Sequence, residues 1–160
     1  MLRNFEKRGV SQTNFIERSG RLATEGDSKL ELTKFALDIA EGMSFLLNQK
    51  LCHPALNAKK VLIDQSGTCK LYDFISTEIA RDKLIDILQR KSPPLAWLPP
   101  EAVFLRQYFL QSDVWSFAVV LWEIYSLGDI PYKGLTTEEI ENEIRNERCL
   151  SQPVNCPGGV

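Results

Sequence analysis

The 160-residue sequence has no apolar run beyond Phe117 to Trp122, far short of the roughly 20 residues that span a bilayer, so no membrane helix is expected. It has a single histidine, and its four cysteines (Cys52, Cys69, Cys149, Cys156) are irregularly spaced without a CxxC pair. That excludes the usual zinc frameworks and a disulfide scaffold, leaving reduced thiols as the expectation. An excess of positive charge is also missing: 19 Lys plus Arg against 21 Asp plus Glu give a net charge of -2, so no global field draws nucleic acid or anionic lipid. The N-terminus lacks the apolar stretch and small-residue cleavage site of a secretory signal. What is present is ordinary for a globular chain, 44% hydrophobic and 25% charged, and long enough to bury a core.

The first 27 residues are polar and interrupted by Gly9, Gly20 and Gly26; a short helix is expected around Leu2 to Lys7, then a loop. Ser28-Lys-Leu-Glu31 has capping-box form. Leu32, Phe35, Ala36, Ile39, Ala40, Met43, Leu46 and Leu47 then recur at three- and four-residue intervals, predicting a one-faced helix ending near Asn48. Val61-Leu62-Ile63, the turn residues Asp64-Gln65-Ser66-Gly67 and the β-prone run Thr68 to Tyr72 read as a small hairpin. Residues 73 to 100 read as a loop that closes on prolines, with a helical turn at Leu84 to Leu88. Ser112 to Leu127 is apolar around nearly its whole circumference, so it is expected to be a central helix buried on all sides, with Trp97, Trp115 and Trp122 in the core. Thr136-Thr-Glu-Glu139 repeats the capping-box spacing and opens a last helix with a solvated charged face.

This order of elements, with Trp97-Leu-Pro-Pro-Glu-Ala102, Ser112-Asp-Val-Trp-Ser-Phe-Ala-Val-Val-Leu-Trp-Glu-Ile124 and Phe35-Ala-Leu-Asp-Ile-Ala-Glu-Gly-Met43, resembles the larger lobe of a tyrosine-kinase-like protein kinase domain. Ile130-Pro-Tyr132 and Leu150-Ser-Gln-Pro153 through Cys156-Pro157 resemble the segments that follow. The resemblance implies a mainly α fold with a small β-hairpin: a partial kinase-like domain over residues 1–157 with a tail at 158–160. It covers essentially the whole chain, from just after the hinge between lobes to just before the last two large-lobe helices, which would leave apolar surface uncovered.

In that family a loop of the form His-Arg-Asp-x-x-x-x-Asn supplies a general base and a metal ligand. Here it reads His53-Pro54-Ala55-Leu56-Asn57-Ala58-Lys59-Lys60, placing Ala55 at the base and Lys60 at the ligand. Alanine has no proton acceptor, an ammonium repels a cation, and the amide of Asn57 does not titrate. The second metal motif reads Asp73-Phe74-Ile75, with a β-branched residue where the family has Gly. Asp73 is at most a vestigial metal ligand, and an ion pair between Lys60 and Asp73 would plug the site. His53 is expected to hold the loop; Asp113 to accept backbone N–H groups from it; and Glu101 to lack the Arg that pairs with its family counterpart. No glycine-rich phosphate loop and no Val-Ala-Ile-Lys strand occurs, and residues 75 to 99 hold Ser76, Thr77 and Ser92 but no Tyr. The resemblance therefore implies no bound cofactor, with ATP and Mg²⁺ entering through the family alone, and protein partners in signalling. It implies a cytoplasmic location, or the cytoplasmic side of a receptor; a weakly active kinase portion and a truncated product without function of its own are the alternatives.

Overall fold

A computed structural model describes residues 13–14 and 28–157; the helix expected at Leu2 to Lys7, the Ser28 side chain and the 158–160 tail lie outside the described residues. Helix α1 runs Ser28–Asn48 as its periodicity predicts. Leu32, Phe35 and Ile39 are fully buried and Leu46 nearly so. The stripe ends sooner than expected, since Leu47 is half exposed with its neighbour Phe45. A helix turning 100° per residue carries both off the face that Leu46 presents inward.

The hairpin forms where its turn residues predict it. β3 (Val61–Ile63) pairs antiparallel with β4 (Cys69–Leu71), and β1 (Thr13–Asn14) adds to the other edge of β3. The Asp64 carboxylate organises the turn, accepting the N–H groups of Ser66 at 2.9 Å and Thr68 at 3.0 Å. Gly42 of α1 lies against β4, where a Cβ would meet Leu71 at 3.1 Å, so its bare backbone permits the close approach. A second antiparallel pair, β2 (Leu51–Cys52) with β5 (Ile75–Ser76), closes the loop between them; two-residue strands have too little pattern to be read in advance.

Between β5 and the prolines the chain is more helical than expected. α2 spans Ala80–Leu88, burying Leu84 and Ile87, and α3 spans Pro100–Leu105, with Pro100 at its first turn, where a missing N–H costs nothing. α4 (Ser112–Tyr125) is the pillar between two cores. One core gathers Leu32, Phe35, Ile39, Leu56, Val61, Ile63, Val120 and Ile124; the other gathers Ala55, Leu84, Ile87, Leu95, Leu98, Ala102 and Ile144. The last helix, α5 (Thr137–Arg145), carries the complete reciprocal capping box of Thr136 and Glu139.

Two expectations about α4 and the tryptophans need correction. α4 is not buried on all sides: Val114 is 66% exposed and Ala118 is also exposed, because no described element covers that line of the helix. The three tryptophans are half-buried, Trp97 and Trp115 packed against the second core and Trp122 outside both, and each indole N–H donates. Trp97 donates to Glu123 at 2.9 Å, Trp115 to the Ala96 carbonyl at 3.2 Å and Trp122 to the Ser151 carbonyl at 2.9 Å. The polar edge of each ring needs a partner; Glu123 and Ala96 are themselves buried, whereas Ser151 is exposed.

Candidate functional site

The segment from His53 to Lys60 is irregular backbone between β2 and β3, and irregular buried backbone must have its polar groups met individually. Two carboxylates of α4 reach in to meet two of these groups. Asp113 accepts the His53 N–H with both oxygens, at 2.9 and 3.1 Å, and also accepts the Tyr108 hydroxyl. Ten residues along the same helix, Glu123 Oε2 accepts the Ala58 N–H and the Trp97 indole N–H, each at 2.9 Å. The loop is thus clamped at both ends by one rigid helix. Within it, Asn57 caps the 3₁₀ turn Ala58–Lys60 by accepting the Lys59 N–H at 3.1 Å, and its amide donates to the Ala55 carbonyl at 3.1 Å.

The fully buried His53 ring places Nε2 2.6 Å from the Tyr72 carbonyl, which makes that nitrogen the donor and leaves Nδ1 a buried acceptor with no partner among the described residues. Burial, reinforced by the charge of Lys60, lowers the His53 pKa to about 4, so the ring is neutral at pH 7. Burial also raises the two clamping carboxylates, Asp113 to about 6 and Glu123 to about 7, against the hydrogen bonds that favour their anions. The same burial pushes the Tyr108 phenol up and, with Asp113 nearby, the Cys52 thiol up to about 12, so both keep their protons.

The residues expected to carry chemistry differ in exposure: Ala55 is buried, Lys60 half-buried and Asp73 exposed. Ala55 is 3% exposed with its methyl in the second core, and its φ of 57° is a left-handed conformation unusual for a residue with a Cβ. Asp73 shares that conformation, φ 68°, and is 43% exposed. Lys60 Nζ lies 2.8 Å from Asp73 Oδ2. Burial works against the Asp73 anion, but the hydrogen bond and charge of Lys60, helped by Lys83, outweigh it and hold the carboxyl below its ordinary range. The following residues are fixed in the short strand β5, with Ile75 paired opposite Cys52.

Glu101 is not part of this cluster. It is half-buried, and its Oε1 accepts the Ser112 hydroxyl at 2.7 Å, so a neighbour on α4 meets the oxygen for which no partner was expected. Sequence reasoning passed over three members of the network: Glu123, Tyr108 and Tyr72, whose hydroxyl donates to the Lys59 carbonyl at 3.0 Å. Only Glu123 left a signal, as the sole carboxylate between Val114 and Tyr125 in an apolar helix, a placement that requires buried partners. Among the described residues no group of three or more His, Cys, Asp or Glu side chains is arranged to hold a metal ion, and no helix is long and apolar enough to cross a membrane.

The clamped loop, hairpin and helical pillar define a protein-kinase large lobe, and comparison with known sequences agrees. Residues 8–160 match the family described as protein tyrosine and serine/threonine kinase, and the chain belongs to that family. It is 39% identical over 140 residues to the tyrosine-protein kinase transmembrane receptor Ror of Drosophila melanogaster, covering 86% of this chain and 20% of that protein. It is 37% identical over 129 residues to human tyrosine-protein kinase Srms (81% and 26%) and 35% identical over 147 residues to rat megakaryocyte-associated tyrosine-protein kinase (92% and 30%). The chain spans less than a third of the length of these relatives.

Proposed function

We propose that this kinase-family segment does not transfer phosphate and serves as an interaction module in signalling, on the cytoplasmic side of the cell. The observation that carries the reading is the pairing of Lys60 with Asp73 at 2.8 Å beside a loop whose base position is a buried methyl. A kinase of this type needs a carboxylate to take the substrate hydroxyl proton, and Ala55 offers none; losing a positioned base costs about 10²- to 10⁴-fold, or roughly 3 to 5 kcal/mol of barrier.

The residues present do not fit the Mg²⁺ that the family implies. Asp73 is the one carboxylate at the expected position, its negative charge is already matched by an ammonium, and a divalent cation would have to displace that ammonium while meeting its repulsion. Without metal to bridge them, triphosphate oxygens have no purchase here, so ATP is not expected to bind through this face. An interaction role is supported by the side chains left on the surface: Leu47 and Val114 are at least half exposed and line one apolar cleft between α1 and α4 with Met43, Leu110 and Phe117.

The test is γ-phosphate transfer to a tyrosine peptide, measured on the chain and on the longest gene product that contains it, beside Ala55→Asp and Ala55→Asp/Lys60→Asn variants. Asp is among the few residues besides Gly that adopt left-handed backbone, so the first variant places a carboxylate at position 55 with little backbone cost. The expected result is no transfer and no Mg²⁺-ATP thermal shift in the parent. Transfer by the parent at rates comparable to the double variant would overturn the reading and favour a weakly active kinase.

A further inference from the structure

Gly42 brings α1 against Leu71 of β4, and a cleft of about 340 Å³ lies along this contact. Asp38, Glu41 and Phe45 line it from the helix, Lys70 and Leu71 from the strand, and Phe74 from the segment after it. Its aromatic rings stand in the open, Phe45 at 61% and Phe74 at 44% exposure. Its charges do not balance. Asp38 is committed to the fold, its Oδ2 accepting the Cys69 N–H at 2.9 Å. Glu41 is exposed, and no hydrogen bond or ion pair from a described residue meets its carboxylate. The cation in the lining, Lys70, is largely exposed and lies 3.9 Å from Asp64 of the hairpin turn, so its charge is shared with a carboxylate outside the cleft.

We infer that this cleft docks an arginine side chain carried by a partner protein. A purely apolar occupant would cover the rings of Phe45 and Phe74, but it would also strip water from Glu41 and put nothing in its place, which an ionised carboxylate opposes. The occupant must therefore bring positive charge. A guanidinium is planar: its face lies on an aromatic ring while its N–H edge donates paired bonds to a carboxylate. An ammonium carries the same charge without the flat face. The groups that would receive it are already held in place. Glu41 and Phe45 are one turn apart on the same face of α1, and Phe74 is fixed between the left-handed Asp73 and Ile75, whose strand pairs with Cys52. Little has to be ordered on binding.

The inference rests on the interaction role proposed above and names the chemistry of one partner. Neither Ala55 nor Lys60 takes part, so the binding assay and the phosphotransfer assay fail independently. The probe is the peptide Ac-Ala-Leu-Arg-Leu-Ala-amide, titrated into the isotope-labelled chain and followed by amide NMR shifts. The expected result is saturable shifts at Glu41, Phe45 and Phe74. Affinity falls by roughly tenfold or more in Glu41→Gln, and equally when citrulline, which keeps the shape and loses the charge, replaces the peptide's arginine. It falls by roughly fivefold in Phe45→Ala. Both positions are exposed, so the variants keep the parent's circular dichroism, and the citrulline peptide leaves the protein untouched. Absence of saturable shifts would overturn the inference. So would a citrulline peptide that binds as tightly, which would leave an apolar groove only, or shifts that ignore Glu41→Gln and centre on Glu138, Glu139 and Glu141 of α5, which would leave charge attraction without a site.

Discussion

Replacing Glu123 by Gln tests the clamp directly. One oxygen, Oε2, accepts both the Ala58 and the Trp97 N–H groups, so a single amide oxygen in the same place can keep both bonds. What the substitution removes is the ionisation. Burial lifts this carboxyl from 4.5 to about 7, and at about 1.4 kcal/mol per pKa unit the folded state holds its anion at a cost of about 3 kcal/mol above pH 7. Because the folded pKa lies above the unfolded one, the folded state binds more protons between about pH 4.5 and 7, and this group adds stability as the pH falls through that window. Asp113, raised from 3.8 to about 6, acts in the same direction; His53, lowered from 6.5 to about 4, acts in the opposite one.

Comparing the variant with the parent at each pH cancels Asp113 and His53 and isolates position 123. Between pH 8 and pH 5 the stability difference in favour of Glu123→Gln should shrink by roughly 2 to 3 kcal/mol, whatever fixed cost the new amide N–H₂ brings. Urea unfolding followed by the fluorescence of Trp97, Trp115 and Trp122 at four pH values measures it. A difference that stays constant with pH, or widens on acidification, would mean that Glu123 is not an ionising buried group, and the electrostatic account of the clamp would be wrong.

Two further outcomes follow from the same geometry. Lys60→Asn removes the partner of Asp73 and leaves the opposing burial in place, so the Asp73 carboxyl should titrate at higher pH than in the parent in a carbon-detected NMR titration, while stability falls by no more than about 1 kcal/mol because the pair is part-exposed; an unmoved titration would deny the pair. Arg106 ends α3 in a left-handed conformation, φ 57°, so Arg106→Gly should raise stability by roughly 0.5 to 1 kcal/mol in the same urea assay, and a loss would show that the side chain makes a compensating contact.

Much of the fold was legible because its signals are local and repeated. The 21 residues of α1 give six turns of apolar spacing, and the residues from Asp64 to Gly67 and from Thr136 to Glu139 carry their own turn and cap chemistry. What escaped is what depends on distant partners. β2 and β5 are two residues each and exist only because they meet across a long loop, Leu51 with Ser76 and Cys52 with Ile75; Val114 and Ala118 are apolar like their neighbours, and nothing within α4 tells which line stays uncovered. The site divides in the same way. The residue types at 53, 55, 60, 73 and 113 could be read from spacing against a family pattern, whereas the second clamp at Glu123 and the Tyr108 hydroxyl on Asp113 are visible only once the helix is set against the loop.

That division bears on how a loop can keep its shape while its chemistry changes. Both clamps bind main-chain N–H groups, of His53 and Ala58, and a backbone donor is present whatever side chain the residue carries. Among the described residues, Ala55 and Lys60 contribute side chains to the second core and to Asp73. Exchanging a base for a methyl or an amide for an ammonium at these two positions therefore removes none of the bonds from α4 that hold the segment. The hydrogen bonds that clamp the loop and the side chains at positions 55 and 60 are different atoms, so stability measurements on position 123 and phosphotransfer measurements on positions 55 and 60 report separately.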